Sequence, residues 1–128
     1  MGVDVRESLK KILETQGYTV SLKRLDSFTG KEGIVLRQVM PQRTEKYLDT
    51  SRSYDYIVHV VVRNRSEKTA MDTCCDIADL VEDLPINSLN GSYVWTGTDI
   101  YTEPEEMVLD EDNFYAWNTR IRVRIERS

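Results

Sequence analysis

The chain has 128 residues, of which 40% are hydrophobic and 30% are charged, and its formal net charge is −5. This length and composition fit one folded domain over residues 1–128 and argue against a disordered chain. No apolar run approaches the roughly 18 residues of a membrane-spanning helix, so no membrane partner is expected. The first residues lack the apolar core of a secretory signal, which predicts a protein of the cytosol.

The first helix is predicted near the start of the chain. Asp4 and Glu7 have the spacing of a capping box, and apolar residues at helical spacing follow until Gly17, a typical residue just beyond a helix end. From Tyr18 to Leu22, apolar and polar residues alternate. This alternation predicts a strand with one face in solvent.

Two glycines among polar residues predict a turn over residues 26–33, before a strand at Ile34–Val39. Pro41 is expected to close that strand, because proline cannot donate a hydrogen bond within a sheet. Residues 42–55 are mostly polar and predict an extended connection or an edge strand.

The most informative stretch joins a strand to a helix in the middle of the chain. Five of the eight residues from Tyr56 to Arg63 are β-branched, and apolar residues occupy both faces, which predicts an interior strand. Apolar residues then recur at helical spacing from Ser66 to Leu84, and Pro85 prevents continuation. Ser66 or Asn64 is the expected N-cap of this helix. The helix is expected to pack on the sheet through Ala70, Cys74, Ile77, Ala78, Val81 and Leu84.

The last part of the chain predicts a long β-hairpin. A strand over residues 92–101, with a bulge at Gly97, is followed by the carboxylate-rich segment 103–112, which is expected to form an acidic tip. A final strand, Phe114–Arg127, alternates apolar and polar residues, which places Arg120, Arg122 and Arg124 in a row on one face. The predicted fold is therefore α+β, with a mixed, mainly antiparallel sheet, two helices packed on one side and this long C-terminal hairpin.

The charge pattern suggests contact surfaces. Residues 1–65 hold 12 basic and 8 acidic residues, a net of +4, whereas residues 66–128 hold 5 and 14, a net of −9. Such asymmetry suggests complementary surfaces in an assembly, although solvated faces explain most charge runs. An outward arginine row protects a strand against edge pairing, or it docks an acidic partner. The candidate contact residues are Glu103, Glu105, Glu106, Asp110, Glu111, Asp112, Arg120, Arg122 and Arg124.

Signals for chemistry or nucleic-acid binding are weak. The chain has no basic patch interleaved with aromatic residues, so sequence-specific nucleic-acid binding is not predicted. His59 is the only histidine and lies in a strand, where a structural histidine with a hydrogen-bond partner is expected. Cys74 and Cys75 are adjacent on a helix and cannot bond to each other, so both are expected to be free thiols. No enzyme activity, cofactor or metal site is predicted.

The first half of the chain has a set of apolar and turn positions at Gly33–Arg37, Pro41, Tyr47–Asp49 and Tyr56–Arg63. The second half continues this set with Ala70, Cys74, Ile77, Leu80, Asn90–Tyr93, Ile100–Pro104 and the aromatic last strand. In this order, over nearly the full chain, the positions resemble those of the minor capsid proteins of tailed bacteriophages. The family tends to have Asp-Gly-Ser where this chain has Asp49-Thr-Ser51.

The order of elements is also similar to that of tail-terminator and tail-completion proteins. The resemblance implies a structural virion protein of the head–tail junction, assembled in the host cytoplasm. It implies a tail terminator forming a homo-oligomeric, commonly hexameric, ring that caps the tail tube and contacts the tube protein and a head-completion protein. A head-completion or stopper protein on the portal side is the alternative within this class. A small-ligand binding module or minor enzyme is the alternative outside it, and would require a deep pocket with convergent polar groups.

Overall fold

The computed structural model describes five stretches of the chain: residues 4–22, 33–46, 52–82, 84–107 and 115–127. The helices and strands within these stretches are, in chain order, α1 (Val5–Thr15), β1 (Val20–Ser21), β2 (Gly33–Lys46), β3 (Arg52–Asn64), α2 (Glu67–Val81), β4 (Val94–Glu106) and β5 (Tyr115–Arg127). The strands form one sheet in the order β1-β2-β3-β5-β4, in which the β1–β2 pair is parallel and the other pairs are antiparallel. The predicted α+β class and the C-terminal β4–β5 hairpin are confirmed. No helix of these stretches has the length and apolar character needed to cross a membrane.

Strand β3 lies inside the sheet, as its composition predicts. It pairs with β2 on one side and with β5 on the other along most of its length. Val58 and Val60 pack into the main core, whereas His59 and Val61 point to the opposite face, and all four side chains are buried. Because both of its faces are covered, this strand tolerates the nearly continuous run of bulky residues.

Both helices pack on the same face of the sheet, as predicted. Their apolar side chains join those of β3 and β5 in one core, whose helical members are Val5, Leu9, Leu13, Ala70, Cys74, Ile77 and Val81. Helix α2 is capped by Ser66, whose hydroxyl oxygen accepts a hydrogen bond from the Thr69 backbone N–H at 3.3 Å. The helix ends at Val81 rather than at the predicted Leu84. The ring of a proline disfavours the helical conformation in the residue before it. Leu84 precedes Pro85, so the helix ends before Leu84.

The predicted capping box at the start of α1 is wrong. Asp4 directly precedes the helix but makes no side-chain cap on it. Its carboxylate instead accepts hydrogen bonds from the loop that leads into β4, from Ser88 Oγ at 2.7 Å, Leu89 N at 2.8 Å, Asn90 N at 3.1 Å and Ser92 Oγ at 3.3 Å. Asp4 therefore ties the first helix to a loop more than 80 residues away. At the other end of the helix, Gly17 adopts a positive φ of 97°, consistent with its predicted role.

The strands differ in extent from the prediction. Strand β2 does not end at Pro41 but continues to Lys46, and its register with β3 shifts between Val39 and Gln42. A sheet accommodates a proline where the pairing of two strands is irregular, because the backbone nitrogen at that position need not donate a hydrogen bond to the neighbouring strand. The strand predicted from Tyr18 is reduced to the two residues of β1, and the predicted turn at residues 26–32 lies outside the described stretches. The predicted bulge at Gly97 is confirmed by a register shift between Trp95 and Gly97.

Candidate interaction surface

The face of the sheet opposite the two helices carries the arginine row predicted for β5. Alternation along β5 directs Ile121, Val123 and Ile125 into the core. The arginines that alternate with them point to the opposite face, where Arg120 and Arg124 are exposed and Arg122 is half-buried. The row is therefore present as predicted, but its three members have different surroundings.

Arg122 is held by a carboxylate of the same subunit. It pairs across the hairpin with Asp99 of β4, to which its Nε and Nη2 atoms donate two hydrogen bonds, the first at 2.9 Å. The Arg122 guanidinium lowers the pKa of Asp99 through these hydrogen bonds, against the opposing effect of partial burial. The guanidinium also lies 5.9 Å from the centre of the Tyr101 ring. Arg122 is thus largely neutralised within the chain.

Arg124 is partly neutralised as well. Its Nε lies 3.9 Å from a carboxylate oxygen of Asp55 in β3, and its Nη2 lies 3.8 Å from Asp99. These distances are long for ion pairs, and the Arg124 side chain is 53% exposed, so each contact contributes little to stability. Arg124 nevertheless has two acidic neighbours, which reduces its attraction for an outside anion.

Arg120 differs from the other two because no described carboxylate forms an ion pair with it. Its cross-strand neighbour in β3 is His59, and the neighbour of His59 in β2 is Arg37. Arg37 is also exposed, and within the described stretches it makes no ion pair either. Adjacent strands lie about 4.8 Å apart, so the backbones of the two arginines are separated by roughly 10 Å with the histidine between them.

His59 is buried, with 8% of its surface exposed, and its Nε2 lies 2.9 Å from Asn118 Oδ1. The predicted structural histidine with a hydrogen-bond partner is confirmed. Asn118 Nδ2 in turn donates to the backbone carbonyl of Glu105 at 3.2 Å. The pKa of His59 is lowered, first by burial and then by the positive charges of Arg120 and Arg37, while the Asn118 hydrogen bond and the Glu105 charge act in the opposite direction.

The acidic residues predicted to form the hairpin tip begin within the strand. Glu103, Glu105 and Glu106 belong to β4, which continues to Glu106 with register shifts on both sides of Thr102, and they do not form a turn. All three are exposed, and none forms an ion pair with another described residue. Strand β4 is at the edge of the described sheet, where Pro104 and glutamates are tolerated because one side of the strand faces solvent. Asp110, Glu111 and Asp112 lie outside the described residues.

Catalytic and metal chemistry have little support in the described part of the chain. No group of three or more His, Cys, Asp or Glu side chains there is arranged to hold a metal ion. Both cysteines are free thiols, and burial raises the pKa of Cys74 to about 12. Partial burial and then the charges of Asp79, Asp72 and Asp76 raise the pKa of Cys75. Neither sulfur is therefore activated as a thiolate nucleophile.

A cleft of about 290 Å³ lies between α1 and the loop after Leu84. Its lining residues are Ser8, Lys11, Ile12, Thr15, Pro85, Asn87 and Leu89. Lys11 is the only side chain among them that is charged at neutral pH, so the cleft lacks the convergent titratable groups expected of a catalytic site. It adds no support to the small-ligand alternative.

The sequence pattern alone identified the arginine row but missed Arg37 and His59 as its neighbours. Arg37 lies more than 80 residues from Arg120 in the chain, and only the register of three strands brings both beside His59. The sequence offers only a weak signal, because Arg37 and His59 each interrupt a run of apolar residues in their strands. Without the strand order, that signal cannot show which residues become neighbours.

No protein-family model matches the chain, and a search of curated proteins found no match.

Proposed function

We propose that the protein is a structural subunit of the head–tail junction of a tailed phage, and that it acts as a tail terminator forming a ring at the end of the tail tube. The proposal rests on the resemblance of the chain to the minor capsid and tail-terminator families. The α+β architecture with both helices on one side agrees with the order of elements in that resemblance. In this role the protein would act through protein–protein contacts in the virion.

One observation in particular supports an assembly role. The same sheet has two exposed groups of opposite charge: Glu103, Glu105 and Glu106 lie on edge strand β4, whereas Arg120 lies on the adjacent strand β5 and Arg37 on β2. None of these five residues forms an ion pair within the described stretches. A contact between two different surfaces of the same protein is heterologous, and such contacts close into rings when the rotation between subunits allows it.

The edge of the sheet favours contact through side chains over extension of the sheet between subunits. Strand β4 has register shifts between Trp95 and Gly97, between Ile100 and Thr102, and between Thr102 and Glu105, and it contains Pro104. Bulges, proline and charged residues are the features by which edge strands avoid pairing with other chains. The acidic surface would therefore meet its partner through carboxylates, which set register and encounter rate more than affinity.

Electron microscopy of the purified protein mixed with tail tubes tests this proposal. We expect density at one end of the tube with rotational symmetry, six-fold if the ring is a hexamer of subunits of 14.9 kDa. The same protein mixed with DNA-filled heads provides the comparison. Binding to heads but not to tubes would favour the head-completion alternative, and density without rotational symmetry would contradict a ring.

A further inference from the structure

Arg37 and Arg120 form an unusual pair because they flank the same buried histidine without a described counter-ion. Both lie in cross-strand register with His59, one on each side of it. On the same face, Arg122 and Arg124 have Asp99 and Asp55 beside them. Like charges on one face of a sheet repel each other, so an anion placed over His59, between Arg37 and Arg120, would relieve an unfavourable arrangement.

The orientation of His59 is fixed by its neighbours. Asn118 donates through Nδ2 to the Glu105 carbonyl, which directs Asn118 Oδ1 toward the ring. An amide oxygen only accepts hydrogen bonds, so His59 Nε2 must carry the proton in that contact. This leaves Nδ1 as the nitrogen that titrates, and no described residue forms a hydrogen bond with it.

We propose that Arg37, His59 and Arg120 form a binding site for one carboxylate group, supplied by the acidic segment of β4 on a second copy of the chain, and that His59 takes up a proton when the carboxylate binds. The side chains of Arg37 and Arg120 are long enough for their guanidinium groups to meet above the histidine, one from each side. Each offers paired N–H donors in the geometry that suits a carboxylate. His59 Nδ1 accepts the proton from solvent and becomes a third donor beneath the anion.

The identity of the partner follows from the charges of the chain itself and rests on the proposed head-to-tail assembly. Glu103, Glu105 and Glu106 are exposed carboxylates without described ion-pair partners. They lie on the edge strand of the described sheet, where another subunit has access to them. One copy therefore offers the carboxylates and the next copy offers the unneutralised arginines.

Proton uptake follows from the charges around the histidine. In the free protein, burial and the positive charges of Arg120 in β5 and Arg37 in β2 keep the pKa of His59 low, while Asn118 of β5 and Glu105 of β4 favour the protonated ring. A bound carboxylate adds a negative charge beside the ring and must raise that pKa. By linkage, the carboxylate binds more tightly to the protonated form, so affinity increases as the pH falls through the His59 pKa.

Because His59 is the only histidine, nuclear magnetic resonance of its imidazole reports on the site without ambiguity. The probe is a capped peptide with the sequence of residues 102–107, Thr-Glu-Pro-Glu-Glu-Met, titrated into the full-length protein; acetate, phosphate and chloride at equal ionic strength are the small-anion comparisons. We expect the peptide and acetate to raise the His59 pKa and chloride to leave it unchanged. Fluorescence anisotropy of the labelled peptide should show tighter binding near pH 5.5 than near pH 8. Because the glutamates of the peptide are ionised at both pH values, the difference reports on the protein.

Variants separate the site from general charge attraction. Arg120→Gln and Arg37→Gln should each weaken peptide binding by up to about fivefold, the effect of losing one exposed ion pair. Arg124→Gln is the matched control, because it removes the same charge from the same strand face, and it should have little effect. His59→Gln retains a donor for Asn118 and should abolish the pH dependence of binding.

Three results would overturn the proposal. They are a His59 pKa that does not respond to the peptide or to acetate, a larger response to phosphate than to either carboxylate, and equal weakening by Arg124→Gln and Arg120→Gln. These results are independent of the tail-tube experiment. A responsive His59 in a protein that forms no ring on tubes would refute the proposed function alone, and a ring with an unresponsive His59 would refute the site alone.

Discussion

Asp4 joins the start of α1 to the loop before β4, and its substitution tests how much this contact stabilises the fold. It is 8% exposed and its carboxylate accepts four hydrogen bonds from residues 88–92. Asp4→Ala removes the acceptor and leaves two backbone N–H groups and two hydroxyl groups without it. A hydrogen bond to a charged group contributes about 1.5–3 kcal/mol, but four donors sharing one carboxylate in a loop that can rehydrate are not additive. We expect a loss of roughly 3 kcal/mol in the free energy of unfolding.

The assay is urea denaturation followed by circular dichroism, for the wild type, Asp4→Ala and the control Glu7→Ala. Glu7 is an exposed carboxylate on the same helix whose contact with Arg6 spans 3.8 Å, so its removal should change stability by less than about 0.5 kcal/mol. Equal stability of wild type and Asp4→Ala would refute the idea that Asp4 secures the loop.

The pH dependence provides a second check on Asp4. Burial alone would raise its pKa, but the hydrogen bonds from Ser88, Leu89, Asn90 and Ser92 outweigh burial and lower it. A lowered folded-state pKa means that the stabilisation is present above the unfolded-state pKa near 3.8 and is lost as the pH falls through the folded-state value. The stability difference between wild type and Asp4→Asn should therefore shrink on acidification below about pH 4. A difference that is constant with pH would contradict the ionised, hydrogen-bonded carboxylate.

Two further predictions concern the interior of the molecule. Ile77 of α2 is fully buried in the core, so Ile77→Ala should lower the free energy of unfolding by roughly 2–5 kcal/mol in the same assay. Leu89 is 56% exposed, so the control Leu89→Ala should change the free energy of unfolding little. Equal effects of the two substitutions would place Ile77 outside the core. Cys74 is fully buried and its pKa is raised to about 12, so it should react with iodoacetamide only under denaturing conditions. Labelling of Cys74 in the folded protein, detected by mass spectrometry, would contradict its burial.

The sequence predicted best those parts of the fold whose signal is local and repeated. Strand β3 and helix α2 are recognised from a change of apolar period near Ser66, and the structure confirms both, with Ser66 as the N-cap. The spacing of Asp4 and Glu7 predicts a local capping box, whereas the partners of Asp4 in the loop near Ser88 are not visible from spacing. Pro41 predicts the end of a strand, but the irregular pairing of β2 with β3 accommodates it.

The candidate surface was predictable only in part, for a physical reason. Alternation along β5 is a property of one strand, so the row of three arginines could be predicted from the sequence. Neutralisation of Arg122 by Asp99 depends on the hairpin register, and the placement of Arg37 beside His59 depends on the order of strands in the sheet. Those relations arise from packing of the whole chain, which one-strand periodicity does not encode.

In the proposed assembly, opposite charges on one sheet join neighbouring subunits of a virion. The most direct measurement is a complementation assay that counts finished virions, with circular dichroism as the check on folding. The charge reversal Arg37→Glu with Arg120→Glu should leave the subunit folded and reduce the virion yield. In assembly in vitro, the defect should be larger at low salt, because screening of the charges is weak there. Adding Glu103→Lys with Glu106→Lys should restore part of the yield. A normal yield from the folded arginine double variant, or no rescue by the lysine substitutions, would contradict the claim.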